Sequence, residues 1–326
     1  MAVLPAALKL GDYLDYWLEN VVRVERGAST YSGYEIVVRR YIKKHLGSRK
    51  LNALTPAHIR AFIAALRKER TVRGEKLSDR YVQNVFETLR SALSNAMRDE
   101  LIGRNVARLV KAPSRGHYDV EPMDEEDARR FINAVTTHWL HALWLTLITT
   151  GLRKGEVLGL AWSDINPNTG AFSIKRTVQR VRGELVFGEP KTRRSRRTLY
   201  LGQVCLAALE EHRRQNAKRL QEPLNPAVGQ PGDLIFITSS GRVVEPRNVN
   251  TMLDRVLKNA EIDRTRVHDL RHTAATLLLL DGATIREVME QLGHASIATT
   301  ANIYGHVLDT AKQQMAERMN RRASGN

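Results

Sequence analysis

The chain has 326 residues, which is enough for two domains that each bury a hydrophobic core. A hydrophobic content of 42% and only 10 prolines exclude a disordered protein and favour an ordered, mostly helical one. The 51 Lys and Arg residues exceed the 35 Asp and Glu residues and give a net charge of +16, which favours a polyanionic partner, most commonly nucleic acid, over a merely basic soluble protein.

The cysteine and hydropathy patterns limit where the protein works. The single cysteine, Cys205, excludes an internal disulfide and is typical of a reducing compartment. Residues 1–10 lack the basic segment and cleavage site of a signal peptide. The run of four leucines from Leu277 to Leu280 is far too short to span a bilayer. We therefore expect a soluble cytoplasmic protein that makes no membrane contact.

The first hundred residues predict a bundle of four helices. The first has apolar residues at a helical period, namely Leu10, Tyr13, Leu14, Trp17, Leu18 and Val21. The second is predicted to begin after Ser29-Thr30, as N-caps, and to end at Gly47. The third opens with Thr55-Pro56, and the fourth runs from about Ser78 to Leu101. Four helices of this length suffice for a small bundle.

The second predicted helix carries closely spaced basic residues that are candidates for DNA contact. These residues are Arg39, Arg40, Lys43 and Lys44. The alternative is that they only form a solvated face.

Residues 113–121 read as an interdomain linker, because the stretch from Ala112 to Pro122 contains two prolines and a glycine without periodicity. The predicted domains are therefore residues 1–112 and residues 122–326. The second domain begins with a helix that Asp124 is expected to cap. Its next apolar helix ends at Thr150-Gly151, and Arg153 follows, either as a surface charge or as a fixed anion clamp.

Residues 171–201 form the only convincing β region. The expected strands are Phe172–Ile174, Val178–Val181, Leu185–Phe187 and a short one near Leu199, with a turn at Arg182-Gly183-Glu184. Between Lys175 and Arg197, nine Lys or Arg residues face two acids. A segment this basic would repel itself without a phosphate backbone beside it, so we predict DNA contact by Arg193, Arg194, Arg196 and Arg197.

The segment from His268 to Tyr304 combines residue types suited to attack on a phosphate. His268 and Arg271 are three apart and share a helix face. His268 and His272 could pair on a metal, but the glutamate of zinc proteases is missing between them, and we expect no metal. Two further sequence signals follow. Thr284 and Glu287 predict a capping box for a helix over 285–292 that ends at Gly293, and Ser296 predicts a cap for a short helix that delivers Tyr304.

Several motifs, in their order and rough spacing, resemble the tyrosine recombinase (phage integrase) family. They are Thr150-Gly151-Leu152-Arg153-Lys154-Gly155-Glu156, Pro190-Lys191-Thr192, His268-Asp269-Leu270-Arg271-His272, Leu292-Gly293-His294 and Ile303-Tyr304-Gly305-His306. The resemblance covers nearly the whole chain. It implies a mainly α fold with a small antiparallel sheet, in which an N-terminal SAM-like core-binding bundle precedes an α+β catalytic domain with a C-terminal helix.

The resemblance also implies a role for each motif residue. Tyr304 would be the nucleophile that forms a 3′-phosphotyrosyl bond, and Arg153 and Arg271 would neutralise the phosphate. His268 would assist proton removal, Lys191 would be the general acid, and His294 would donate a further hydrogen bond. Glu156 would orient the pocket. Lys175 remains an alternative to Lys191, and no metal, nucleotide or other cofactor is expected.

The implied partner is double-stranded DNA with a short inverted-repeat site, bound by a homotetramer. Integration or excision of a mobile element is the leading interpretation, and resolution of chromosome or plasmid dimers is the alternative. Two other classes compete, a type IB topoisomerase and a helix-turn-helix regulator. The regulator would leave Arg153, Lys191 and His268 without a role. The sequence leaves open whether a directionality factor takes part.

Overall fold

The computed structural model describes residues 8–71, 74–114, 122–190, 197–219 and 233–293, with residues 316, 319–320 and 323–324. The chain divides into two compact units, Met1–Tyr118 with Val181–Gly183, and Asp119–Arg180 with Glu184–Asn326. In the described part of the chain, no helix is long and apolar enough to cross a membrane.

The first unit is helical and has its own apolar core. Its α-helices are α1 (Leu10–Trp17), α2 (Arg23–Glu25), α3 (Ala28–Val37), α4 (Lys43–Leu46), α5 (Pro56–Leu66) and α6 (Asp79–Arg98). Two π-helical segments, Leu18–Val22 and Val38–Ile42, join α1 to α2 and α3 to α4. The first two predicted helices are therefore each continuous through a π-helical turn.

Of the two cap predictions in this unit, the one at Thr55 is confirmed, and Ser78 also caps the fourth helix, although no cap was predicted there. Thr55 accepts a hydrogen bond from the His58 amide, and Ser78 accepts one from the Tyr81 amide. The predicted caps Ser29 and Thr30 were wrong. The helix already begins at Ala28, because the extended Gly27 directs its carbonyl to the amides of Thr30 and Tyr31 without needing a side-chain cap.

The π-helical turns also change which side chains enter the core. Val22, which the predicted helical period left out, is buried, whereas Val21, which it included, is only partly buried against the core. A π-helical turn holds more residues than an α-helical turn, so the apolar stripe moves forward by one position.

The second unit packs helices and short strands around a second core. Its helices are α7 (Glu125–Ala134), α8 (His141–Thr150), α9 (Lys154–Leu158), α10 (Gln203–Arg219), α11 (Pro246–Asn259), α12 (Asp269–Leu280) and α13 (Ile285–Leu292). Asp124 caps α7 by accepting from the Asp127 amide at 2.7 Å. The capping box of α13 is present, since Thr284 and Glu287 exchange hydrogen bonds. Both predictions are confirmed.

The strands of this unit form two pairs. They are β1 (Ala171–Ser173), β2 (Thr177–Val181), β3 (Glu184–Gly188) and β4 (Thr198–Tyr200). β1 pairs antiparallel with β4, with Phe172 opposite Leu199, and β2 pairs with β3. Arg182 and Gly183 connect β2 to β3 with φ angles of 50° and 89°, as a type I′ hairpin turn requires.

Three chain segments are brought together by glycines at helix boundaries. Gly151 ends α8 in the left-handed conformation, at φ 65°, and lets the chain turn directly into Arg153 and α9. Gly155 lies in the first turn of α9, where a Cβ would approach the Val178 carbonyl oxygen at 2.7 Å. The helix that follows Arg153 therefore packs directly on the backbone of β2.

Candidate active site

Arg153 lies between the end of α8 and the start of α9 and is fixed by Glu156. Its backbone amide donates to Glu156 Oε2 at 2.9 Å, and its Nη1 donates to Glu156 Oε1 at 2.7 Å. The Arg153 side chain is still 39% exposed, so its guanidinium can meet a ligand. An arginine that is oriented by a carboxylate and remains accessible is suited to bind a phosphate through two oxygens.

Glu156 is 2% exposed, and its carboxylate contacts two arginines. Its Oε2 also lies 3.5 Å from an Nη of Arg197, whose Nε donates to the Gln291 carbonyl at 2.6 Å. A buried carboxylate needs such partners, because an unpaired buried charge is strongly destabilising. Although the sequence predicts DNA contact for Arg197, its guanidinium lies within the protein, with a side chain that is 9% exposed.

Arg271 has a different environment from Arg153, because it is 1% exposed. Its Nη1 donates to the Gly151 carbonyl at 2.7 Å, and its Nη2 donates to the Leu292 carbonyl. These carbonyls lie at the C-terminal ends of α8 and α13, where the helix dipole favours a cation. Arg271 therefore joins two helix ends beside Arg153.

His268 immediately precedes α12 and is solvent-accessible. Partial burial lowers the pKa of His268, and the charges of Arg271 and Arg153 lower it further against the opposing effect of Asp269. His268 is thus favoured in its neutral form at neutral pH, in which one ring nitrogen can accept a proton.

His272 lies in the first turn of α12, four residues after His268, and is 6% exposed. The two imidazole rings meet edge to face, with centroids 5.3 Å apart. Burial and the neighbouring His268 lower the pKa of His272 to about 4. Among the described residues, no group of three or more His, Cys, Asp or Glu side chains is arranged to hold a metal ion.

A cleft of about 420 Å³ connects Arg153 with His268. Its wall is formed by the start of α9, one face of α11 and the segment that leads into α12. The sequence reasoning missed three basic residues in this wall, Lys154, Arg264 and Arg266. Lys154 donates to Asn250 at 2.8 Å, and burial lowers the pKa of its amine. Each lies within a few residues of Arg153 or His268 in the sequence, but only the fold distinguishes it from an ordinary surface charge.

Several predicted site residues lie outside the described residues, namely Lys191, Arg193, Arg194, Arg196, His294 and Tyr304. The structure does describe Lys175, the alternative to Lys191. Its Nζ lies 3.1 Å from Oδ1 of Asp164, a buried carboxylate that also binds Arg176.

The four basic candidates of the first unit are exposed or partly exposed. Arg39 pairs with Glu35 at 3.0 Å, Lys43 with Asp15 at 2.6 Å, and Lys44 with Glu69 at 2.5 Å. Arg40 lies over the ring of Tyr41. Exposed ion pairs of this kind contribute little to stability, so these cations can exchange their partners for phosphates at small cost.

Two family models match the chain and account for both of its units. The phage integrase family model matches residues 121–311, which is more than half of the chain. The model of the phage integrase N-terminal SAM-like domain matches residues 9–67. The chain belongs to the phage integrase family of tyrosine recombinases. This membership confirms the mainly α fold with its small antiparallel strand pairs, and it makes the protein a site-specific DNA recombinase.

Curated relatives align over most of their lengths. A tyrosine recombinase XerC-like protein of Caldanaerobacter subterraneus is 28% identical over 95% of this chain and 82% of that protein. The ICEBs1 integrase of Bacillus subtilis is 25% identical, with coverage of 89% and 77%. The integrase of Mycobacterium phage D29 is 29% identical, with coverage of 89% and 73%. The integrases among these relatives support integrase activity over the regulator alternative.

Solved structures of integrases share the fold. The Tn1549 transposon integrase in complex with transposon right-end DNA has a TM-score of 0.79 at 19% identity, covering 96% of this chain and 100% of that one. A lambda integrase tetramer bound to a Holliday junction has a TM-score of 0.63 at 17% identity, covering 91% and 77%.

Proposed function

We propose that this integrase cleaves and rejoins DNA at a specific site through a 3′-phosphotyrosyl bond to Tyr304, and thereby moves a mobile element into and out of a larger DNA. The observation that carries the proposal is the cationic cleft in which an accessible Arg153 and a neutral, accessible His268 meet. A phosphodiester in this cleft would encounter both a bidentate cation and a group able to accept a proton.

The two arginines neutralise the negative charge of the phosphate. Arg153 binds nonbridging oxygens, because its guanidinium is held by Glu156 and remains exposed. Arg271 contributes its positive charge and fixes the Gly151 turn from which Arg153 projects. Charge that develops on a pentacoordinate phosphate is stabilised most by groups that are already in place.

Two protons are transferred around this phosphate, one from the nucleophile and one to the leaving group, and a further hydrogen bond is donated to it. The Tyr304 phenol, with a pKa of about 10 in isolation, needs a base, and His268 is the base or the group that orients it. Lys191 protonates the departing 5′-oxygen, and His294 donates to the phosphate. Lys191 is preferred to Lys175 because the amine of Lys175 is already paired with the buried Asp164. The phosphotyrosyl bond keeps the energy for rejoining, so the proposal requires no nucleotide.

The proposed domain roles follow the sequence boundaries. Residues 1–112 form the core-binding domain, residues 113–121 the linker, and residues 122–326 the catalytic domain. Arg39, Arg40, Lys43 and Lys44 contact phosphates from the first domain, and the basic segment that contains Arg193, Arg194 and Arg196 contacts them from the second.

The proposed assembly is a homotetramer on a short inverted-repeat site in double-stranded DNA, in the cytoplasm. It is supported by the lambda integrase tetramer that shares the fold. Integration and excision are favoured over dimer resolution because relatives from a mycobacterial phage and from Bacillus subtilis are named integrases. A directionality factor would then select between the two reactions.

Covalent capture tests this proposal. The protein is expressed with its host DNA and denatured without proteolysis, and the DNA that remains attached is sequenced. We expect adducts at one or a few short inverted-repeat sites, absent from Tyr304→Phe and retained by the control Tyr200→Phe, which removes the hydroxyl of an exposed tyrosine in β4. Adducts scattered over the genome would instead indicate a topoisomerase, and adducts that survive in Tyr304→Phe would overturn the nucleophile assignment.

A further inference from the structure

Arg197 links three segments of the second unit. It directly precedes β4 and follows the segment that contains Lys191. Its Nε donates to the Gln291 carbonyl at 2.6 Å, in the last turn of α13. One of its Nη atoms lies 3.5 Å from Glu156 Oε2 in α9. No local sequence signal relates these segments, so the contact is a property of the folded chain.

Glu156 connects Arg197 to Arg153, because its carboxylate contacts both side chains. One carboxylate oxygen, Oε1, accepts from the Arg153 guanidinium, while Oε2 accepts from the Arg153 amide and faces Arg197. A carboxylate held on both oxygens keeps one orientation. If Arg197 were removed, Glu156 could turn toward Arg153 and withdraw its guanidinium from the cleft.

We propose that Arg197 is a positioning residue for strand cleavage, which acts through Glu156 to hold Arg153 in the geometry that binds the scissile phosphate. The inference rests on the proposed function, because it assigns a role in that same site. It replaces the sequence-based expectation that Arg197 contacts DNA.

The electrostatics of the site agree with this assignment. Burial lowers the pKa of the Arg197 guanidinium, Glu156 opposes this effect, and Arg153 adds to it by repulsion. Arg153 and Arg197 therefore compete for the charge of Glu156. Glu156 therefore faces both guanidinium groups, while the Arg153 side chain remains 39% exposed and available to a phosphate.

The test compares Arg197→Gln and Arg197→Lys with a matched control, Arg130→Gln. Arg130 also joins a carboxylate, Asp127, to a distant backbone carbonyl, that of Glu261, but it lies in α7 away from Glu156. Single-turnover cleavage is measured at saturating protein on a nicked duplex that carries a captured site, and DNA affinity is measured separately. Thermal melting checks that each variant is folded.

We expect Arg197→Gln to slow cleavage by about 10- to 100-fold with unchanged DNA affinity, since a displaced reacting group costs rate rather than binding. Arg197→Lys keeps the positive charge but lacks the planar guanidinium that contacts two partners, so it should give an intermediate rate. This variant also tests the inference if Arg197→Gln does not fold. Arg130→Gln should cleave at the wild-type rate. Wild-type rates for both Arg197 variants would overturn the inference.

A double-mutant cycle with Arg153→Ala separates positioning from a purely structural role. If Arg197 acts through Arg153, the combined variant should cleave about as slowly as Arg153→Ala alone, whereas independent effects multiply. A neutral methylphosphonate at the cleavage position lacks one charged oxygen, so it should reduce the defects of Arg153→Ala and Arg197→Gln together. Multiplied defects would overturn the inference while leaving the proposed function intact. A wild-type protein that forms no adduct would overturn the proposed function itself.

Discussion

Arg153 and Arg271 have the same charge and lie near the same imidazole, but their surroundings give them different uses. The Arg153 side chain is 39% exposed and is held by one carboxylate. Arg271 is 1% exposed and donates to carbonyls at two helix ends. Only the former can form bidentate contacts with a phosphate without rearrangement. The latter stabilises the turn from which Arg153 projects.

Arg153→Ala should therefore impair chemistry much more than folding or binding. Removal of one preorganised charge contact from a transition state lowers the cleavage rate on the order of 10²–10³-fold. Single-turnover cleavage on a nicked duplex gives this rate, and thermal melting gives stability. Arg213→Ala, which removes an arginine over the Trp162 ring, is the control. Cleavage by Arg153→Ala at the control rate would contradict the assignment.

The buried His272 predicts a pH dependence of stability. Its pKa is lowered to about 4 in the folded protein from 6.5, so the unfolded chain binds a proton that the folded chain rejects between these values. Its contribution to stability is fully present above pH 6.5 and is lost as the pH falls toward about 4, with a total loss on the order of 3 kcal/mol.

Chemical denaturation at several pH values measures this effect. His272→Gln should reduce the loss of stability on acidification relative to the wild-type protein. The same slope in wild type and His272→Gln would show that this imidazole is not the group that titrates.

At the level of elements, the site depends on where helices end. The left-handed Gly151 closes α8, its carbonyl binds Arg271 from α12, and its α-carbon lies against the side chain of Leu292 at the end of α13. One turn thus sets the relative positions of three helices, of which α12 carries Arg271 and α8 directly precedes the segment with Arg153.

Gly151→Ala should disturb this arrangement for two reasons. The backbone there has φ 65°, which is unfavourable for alanine, and the added Cβ would overlap the Leu292 side chain. We expect a loss of about 1–3 kcal/mol in the free energy of unfolding, together with slower cleavage. Gly202→Ala is the matched control, since a Cβ added at Gly202 would meet no described atom within 4 Å beyond its chain neighbours. Equal stabilities for the two variants would contradict this account of the turn.

Sequence reasoning succeeded where a signal is local. Asp124, Thr284 with Glu287, and Gly151 each mark a helix boundary through atoms a few residues away, and the structure confirms all three. The π-helical turn at Leu18–Val22 has no such signal, so the shift from Val21 to Val22 was missed.

Contacts between distant segments could not be predicted in the same way. Arg197 lies in a run of basic residues, and its charge pattern resembles that of a DNA-contacting surface. Its partners Glu156 and Gln291 are far away in the chain, and only folding brings them together. The cleft-lining Arg264 and Arg266 were missed because each looks like an ordinary surface charge without the fold around it.

At the level of the whole molecule, a net charge of +16 makes phosphate contacts the main source of affinity. DNA binding should therefore weaken steeply with salt, by on the order of 10³–10⁵ between about 50 and 200 mM if 6–10 phosphates are contacted. Replacing Arg39, Lys43 and Lys44 together by Gln should reduce the slope of log affinity against log salt by about one per side chain.

The control for this experiment removes the same charge elsewhere. Arg213, Arg214 and Lys218 lie on α10, and their joint replacement by Gln should change the slope less than replacement of the three residues from the first unit. Equal slopes for both triple variants would show that net charge, rather than the proposed contact surface, sets the salt dependence.

The most direct measurement of the central claim is the chemical identity of the protein–DNA bond. The adduct formed on a nicked duplex is digested with trypsin and nuclease and analysed by mass spectrometry. The tryptic peptide of residues 287–312 contains Tyr304 as its only tyrosine. We predict a nucleotide joined to this tyrosine through its 3′-phosphate, and a released strand whose 5′-hydroxyl accepts phosphate from a kinase. A nucleotide on another residue, or a 5′-phosphate linkage, would contradict the proposed mechanism.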